Sequence, residues 1–143
     1  MRTRCRSCGA RWTDGEPCDA RFDRALSLEF TDAAYAAVHH LTVTAYLLQH
    51  DRYSHDGWLA ARALLRAMVE DGLRPEEVRR VQRRPRASVT RGDQFRDFGL
   101  VRWSRTIADV RMADATGYRD DVRRWAGAVL DDTREVTRGH TDS

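Results

Sequence analysis

The chain contains no lysine and no asparagine, and isoleucine occurs only at Ile107. All 25 basic residues are therefore arginine. The three scarce residue types have A/T-rich codons, so their scarcity indicates a GC-rich genome, such as an actinobacterial one. The arginine excess is partly a codon effect. A net charge of +3 is then weak support for a nucleic-acid partner, because such a partner calls for basic residues clustered on one face.

Long apolar runs are also missing, and none approaches the roughly 20 residues that cross a bilayer. Residues 1–5 lack the apolar segment of a secretory signal. We therefore expect a cytoplasmic protein with no membrane segment. With 143 residues, the chain suits one domain. We place it at residues 1–136 and interpret 137–143 as a flexible polar tail.

Complete catalytic motifs are absent: the chain has no phosphate-binding glycine loop, no nucleophile elbow and no His-Glu-x-x-His helix. Periodic apolar residues instead predict an all-α fold of about five helices behind an N-terminal zinc knuckle. Residues 85–105 show no clear period, and we interpret them as an irregular or lid-like segment. The predicted elements are a knuckle and loop over 1–18, then helices near 19–30, 33–50, 54–71, 75–84 and 107–112, and a last helix around Tyr118, Val122, Trp125 and Val129.

Only three cysteines are present, namely Cys5, Cys8 and Cys18. Because the cytosol keeps thiols reduced, such a cluster indicates metal binding rather than disulfides. Cys5-x-x-Cys8-Gly9 is half of a zinc knuckle, and its glycine can adopt the positive φ that turns backbone N–H groups toward thiolates. Cys18 stands before the first predicted helix, where the helix dipole favours a thiolate. The pattern predicts zinc; a redox-active or idle cysteine pair is the alternative.

A fourth ligand must come from elsewhere, and the second predicted helix offers His39, His40 and His50. His39 and His50 are eleven residues apart and share one face. In an antiparallel hairpin of the first two helices, Cys18 would lie level with residue 43 or 44. His39 would then be about 7 Å away along the axis and His50 about 10 Å. This favours His39 as the fourth ligand and leaves His50 as the alternative, with Asp19, His55 or water as further possibilities.

Other polar side chains surround the predicted metal loop. His50, Tyr46 and His40 are candidates for acid–base chemistry near neutral pH. The alternative is that these groups only support the metal ligands through hydrogen bonds. The basic run over residues 79–86 is compatible with phosphate contacts, but a solvated helix face explains it more simply.

Several segments of the chain form a distinctive set: Cys5-x-x-Cys8-Gly9-Ala10, Cys18-x-x-Arg21-Phe22, Val38-His39-His40-Leu41-Thr42-Val43, Tyr46-x-Leu48-Gln49-His50, Thr106-Ile107-Ala108-Asp109-Val110 and Arg123-x-Trp125-Ala126. Together they resemble DUF5946, an uncharacterised bacterial family classed as a domain of unknown function. The resemblance covers nearly the whole chain and implies that the cysteines and the His39/His50 helix form one constellation, while supplying no activity. The relatives usually have proline after the position of His50, where this chain has Asp51.

Three functions remain open from the sequence. The first is a zinc-stabilised helical domain that binds a small molecule or a protein partner. The second is a small metal-dependent enzyme of bacterial specialised metabolism that uses the His/Tyr side chains beside the metal. The third is a nucleic-acid-binding regulator, which the modest net charge disfavours.

Overall fold

The computed structural model describes residues 4–5, 7–12, 15–50, 52–82 and 101–134. The fold is all-α, as predicted, and no helix in these residues is long and apolar enough to span a membrane. Of the predicted irregular segment, 101–105 is described and is not helical, whereas 85–100 and the predicted tail 137–143 lie outside the described residues. The helices are α1 (Cys18–Thr31), α2 (Ala33–Ala36), α3 (His39–Gln49), α4 (His55–Glu70), α5 (Pro75–Gln82), a 3₁₀ helix (Ile107–Asp109) and α6 (Ala115–Asp132).

Two helix starts follow side-chain caps that the sequence displays. The Ser54 hydroxyl accepts the Gly57 N–H at the start of α4, and Thr106 forms a capping box with Asp109. The first helix, predicted near 19–30, starts slightly earlier than predicted, because α1 begins at Cys18 with Pro17 at the N-cap position. Cys18 therefore lies in the first turn of α1, not before it.

The second predicted helix, 33–50, is split in two. The Asp32 side chain caps α2 by accepting the Ala34 N–H, and the chain then turns at 37–38 before α3 begins. No glycine or proline marks this break. Packing accounts for it instead, since Val38 is buried and the buried Tyr35 donates its hydroxyl to the Met112 carbonyl at 3.1 Å. The connection between α1 and α3 is consequently seven residues long, 32–38.

The core lies where α3, α4 and α6 pack together, around buried Leu48, Leu65 and Trp125. Gln49 crosses this core at the end of α3. Its side-chain amide donates to the Arg105 carbonyl at 2.6 Å, and its Oε1 accepts the Trp125 indole N–H at 2.9 Å. Gln49 thereby fixes the C-terminal end of α3 against α6, which determines where the following His50 lies.

Truncating this buried amide tests the role of Gln49. We expect Gln49→Ala to lower the free energy of unfolding by about 2–4 kcal/mol, since it leaves the part-buried Arg105 carbonyl and the buried indole N–H of Trp125 without their partner. Urea unfolding followed by circular dichroism measures the change. Arg66→Ala, at an exposed position of α4, is the control and should change the midpoint little. A Gln49→Ala midpoint equal to that of the wild type would contradict the assignment.

Candidate metal centre

The N-terminal loop folds as a tight knuckle. The Cys5 N–H donates to the Ala10 carbonyl at 2.8 Å, and the Gly9 N–H donates to the Cys5 carbonyl at 3.0 Å. Gly9 has φ = 77°, as the knuckle pattern predicts. An isolated antiparallel bridge between Arg4 and Arg11 closes the loop. These backbone bonds bring the Cys5 and Cys8 side chains to the same side.

Gly9 offers a test of this backbone geometry. A Cβ at Gly9 would meet no atom closer than 3.7 Å, so alanine adds strain but no serious clash. The left-handed conformation costs an alanine about 1 kcal/mol, which corresponds to about fivefold weaker metal binding if only the bound state requires the turn. Competition with a chromophoric chelator measures the affinity. Gly127→Ala, which places its Cβ in open space on α6, is the control and should bind as the wild type does; equal affinity of the two variants would count against the turn.

Three sulfurs and one imidazole converge below the knuckle. The ligand atoms of Cys5, Cys8, Cys18 and His50 all lie within 4.8 Å of one another. The Sγ atoms of Cys8 and Cys18 are 3.6 Å apart. Ligands of a tetrahedral zinc with Zn–S bonds of about 2.3 Å are separated by about 3.8 Å. The cluster therefore has the composition and the dimensions of a Cys₃His metal site.

The His50 imidazole is oriented for coordination. Its Nδ1 lies 2.8 Å from the Tyr46 carbonyl, so Nδ1 carries the proton and donates it. In the neutral imidazole Nε2 then bears the lone pair, and Nε2 is the one buried side-chain nitrogen or oxygen in the described residues without a hydrogen-bond partner. An unpartnered buried acceptor is costly unless a cation or donor satisfies it. A metal-binding histidine uses this same tautomer, fixed by a backbone carbonyl.

The sulfurs perturb one another electrostatically. Hydrogen bonds from Cys18 and Cys8 lower the pKa of the Cys5 thiol, whereas the contact with Cys5 raises the pKa of Cys18. Burial opposes protonation of His50, yet the neighbouring sulfurs of Cys5 and Cys8 favour its charged form and raise its pKa to about 9. Three thiolates at this distance repel one another strongly unless a cation lies between them. A metal entering the cluster must therefore displace protons, and its affinity falls as the pH is lowered.

The preferred fourth ligand from the sequence, His39, lies elsewhere. Its Nδ1 contacts Glu29, and the cluster contains the alternative, His50. The hairpin estimate assumed a tight turn after α1. The connection 32–38 shifts the register, so that the start of α1 meets the end of α3 and Cys18 meets His50. Asp51, the departure from the family pattern, lies outside the described residues.

The remaining candidates occupy different positions. Tyr46 lies beside the cluster, stacked between Phe22 at 3.9 Å and His50 at 4.0 Å between ring centroids. Burial raises the pKa of the Tyr46 hydroxyl. His40 is outside the cluster, 5.5 Å from the His39 ring, and burial lowers the pKa of His40. His55, at the start of α4, is also outside the cluster.

An open cleft of about 550 Å³ adjoins the cluster. Cys5 and His50 reach it from the metal side, and Tyr46 and Asp19 form part of its wall. Cys5 and His50 are half-buried, and Cys18, which also lines the cleft, is buried, as is Cys8. One side of the cluster thus faces a space in which a small molecule fits. Asp19, a further possible ligand from the sequence, is not among the four clustered ligand residues.

One polar residue of interest was missed by the sequence reasoning. Glu29 falls within the first predicted helix, near 19–30, and its side chain is buried at the interface of α1 with α3 and α6. A signal was present, because Cys18, Phe22, Ala25 and Glu29 have the spacings 4, 3 and 4 of one helix face. A carboxylate on the buried stripe of a helix indicates a polar partner inside the fold.

Comparison with known proteins identifies the family but no activity. No curated protein and no solved structure matches the chain. The family model that matches is described as a family of unknown function and spans residues 3–134, which includes the cysteine knuckle and all of the helices given above. The resemblance predicted from the sequence motifs is thereby confirmed. The chain belongs to the family of unknown function DUF5946.

Proposed function

We propose that the chain is a zinc-binding helical domain in which Cys5, Cys8, Cys18 and His50 hold one structural zinc ion. The observation that carries the proposal is the buried, unpartnered Nε2 of His50 beside three sulfurs. Thiolate and imidazole donors in a tetrahedral set suit zinc better than hard cations such as magnesium or calcium. Free thiols require a reducing compartment, which supports a cytoplasmic location.

The role of the metal follows from which segments supply the ligands. Two ligands belong to the knuckle, Cys18 begins α1, and His50 ends α3. A zinc ion would therefore join the N-terminal loop to the helical core. Four protein ligands complete a tetrahedron and leave no position for a reacting water, as in structural zinc sites. Tyr46 then acts in support, through its carbonyl bond to His50 and its stacking on the imidazole ring.

Cobalt substitution tests this proposal. The protein loaded with cobalt(II) should show the intense visible bands of a tetrahedral cobalt–thiolate site, with one equivalent bound per chain. Because no coordination position is open, added azide or cyanide at moderate concentration should leave the spectrum unchanged. Weak octahedral-type bands would reject the site, while an anion-dependent spectrum would reject its structural role.

A second candidate is a metal-dependent enzyme, and the cleft beside Cys5 and Tyr46 is the observation that favours it. In that case zinc would use an open position or activate a ligand in the cleft. The same cobalt experiment separates the two, since an enzyme site should respond to anions. Under the first proposal the cleft is where a small molecule or a protein segment binds. A nucleic-acid role is not proposed, because most of the basic run 79–86 lies outside the residues whose side chains are described.

A further inference from the structure

A second polar cluster lies at the opposite end of α3. The Glu29 Oε1 atom is 2.7 Å from the His39 Nδ1, and Glu29 Oε2 accepts the hydroxyls of Thr42 at 2.7 Å and Tyr118 at 2.5 Å. The four side chains come from α1, α3 and α6. Glu29 is only 4% exposed, so the carboxyl group is held inside the fold by these partners.

The hydrogen bonds fix the state of the imidazole. Burial and the bond to Glu29 raise the pKa of Tyr118, so its hydroxyl keeps its proton and donates. With hydroxyl donors at one oxygen, Glu29 acts as an acceptor, and a carboxylate can only accept. The proton between Glu29 and His39 therefore belongs to Nδ1, and in the neutral imidazole the lone pair lies on Nε2. This is the orientation that a carboxylate gives to a catalytic histidine.

Nε2 of His39 is open to the surroundings. The His39 side chain is 33% exposed, and no hydrogen bond occupies Nε2 within the described part of the chain. The ring of Phe30 is 5.9 Å from the imidazole, and Phe30 is 78% exposed, the largest exposure of any bulky apolar residue that the structure describes. An oriented lone pair thus lies next to an uncovered apolar surface. A histidine that only forms structural hydrogen bonds needs neither an oriented free lone pair nor an exposed apolar surface beside it.

We propose that His39 is a nucleophilic centre that accepts an acyl group from an ester with an apolar or aromatic part resting on Phe30. The Nε2 lone pair attacks the ester carbonyl carbon and forms a C–N bond. The C–O bond to the alcohol then breaks, and the leaving oxygen takes the electron pair. Glu29 balances the positive charge on the acylated ring through the Nδ1 proton. Water then attacks the same carbonyl carbon, and the C–N bond breaks with its electron pair returning to Nε2. One proton of the water passes to the alkoxide, so that the products are the carboxylic acid, the alcohol and the restored imidazole.

This centre is separate from the metal site. His39 and His50 are eleven residues apart on one helix, or about 16 Å along its axis. Glu29 and Cys18 are also eleven residues apart on α1, so antiparallel α1 and α3 meet in two polar contacts three turns from each other. The proposal for His39 does not depend on the identity or presence of the metal.

Hydrolysis of p-nitrophenyl acetate by the full chain, followed as p-nitrophenolate release, tests the proposal. We expect wild type to exceed His39→Gln by about tenfold or more, because glutamine keeps a donor to Glu29 but has no nucleophilic lone pair. Glu29→Gln should lower the rate by about tenfold while leaving near-ultraviolet circular dichroism native. His55→Gln, a half-buried histidine on α4, should hydrolyse at the wild-type rate.

The possible results distinguish a nucleophilic His39 from a His39 that only takes part in a structural hydrogen-bond network. A His39→Gln rate equal to wild type overturns the proposal, and so does a rate that falls equally in His55→Gln. A Glu29→Gln variant that folds natively and reacts at full rate overturns the positioning role of the carboxylate. If Glu29→Gln does not fold, His39→Gln alone decides, since it retains the bond to Glu29. Zinc content measured in each variant shows whether the metal site has changed.

Discussion

His50→Ala is expected to weaken zinc binding by about 100-fold, whereas His39→Ala should leave it within about twofold of wild type. The reason is positional, since Nε2 of His50 faces the sulfurs and His39 is bonded to Glu29 at the far end of α3. Structural zinc sites bind with about 10–16 kcal/mol, so one of four ligands contributes about 3 kcal/mol or roughly two orders of magnitude. Chelator competition at fixed pH measures both affinities.

The two histidines form a matched pair, because they lie on the same helix and both make one hydrogen bond through Nδ1. Loss of fold is checked by the unfolding midpoint of each variant in excess zinc. If His39→Ala lowered the affinity and His50→Ala did not, the register derived for α1 and α3 would be incorrect. Equal zinc affinity for wild type, His39→Ala and His50→Ala would show that His50 is not a zinc ligand.

Chelation of the metal is expected to destabilise the chain by about 3–5 kcal/mol and lower the thermal midpoint by about 10 °C or more. Without the cation, repulsion between the sulfurs and the unpartnered Nε2 of His50 oppose the knuckle geometry. The core of α3, α4 and α6 keeps its buried apolar contacts around Trp125 and Leu65. Loss of order should therefore begin in residues 4–17 and α1.

Thermal unfolding by circular dichroism, with and without a strong chelator, measures the destabilisation. Hydrogen exchange locates it, and faster exchange should appear first at the Cys5 and Gly9 amides, whose bonds close the knuckle. Zinc added back should restore the midpoint, and magnesium should not. An unchanged midpoint and unchanged exchange after verified metal removal would contradict a structural role.

The cysteine cluster and the fold class were predictable because their signals are local. Cys5-x-x-Cys8-Gly9 specifies a turn whose glycine has the positive φ that the pattern requires. Ser54 and Thr106 specify helix starts through their own hydroxyls. These features depend on residues within a few positions of one another, so one sequence contains enough information to infer them.

The fourth position of the cluster was not predictable in the same way. It depends on the register of α1 against α3, and the break at 37–38 that sets this register has no glycine or proline. The break is stabilised by Tyr35 and Met112, which are 77 residues apart. The position of Glu29 is set equally by long-range contacts, since Tyr118 lies on α6. Such long-range contacts are visible in the sequence only as a weak helical periodicity of the positions that become buried.

X-ray absorption at the zinc edge, on protein purified under reducing conditions without added metal, tests the central claim most directly. The account predicts one zinc per chain with a first shell of three sulfurs at about 2.3 Å and one nitrogen at about 2.0 Å. The nitrogen should disappear from the shell in His50→Ala and remain in His39→Ala. A sample without bound zinc, or a zinc shell of oxygen and nitrogen alone, would contradict the account.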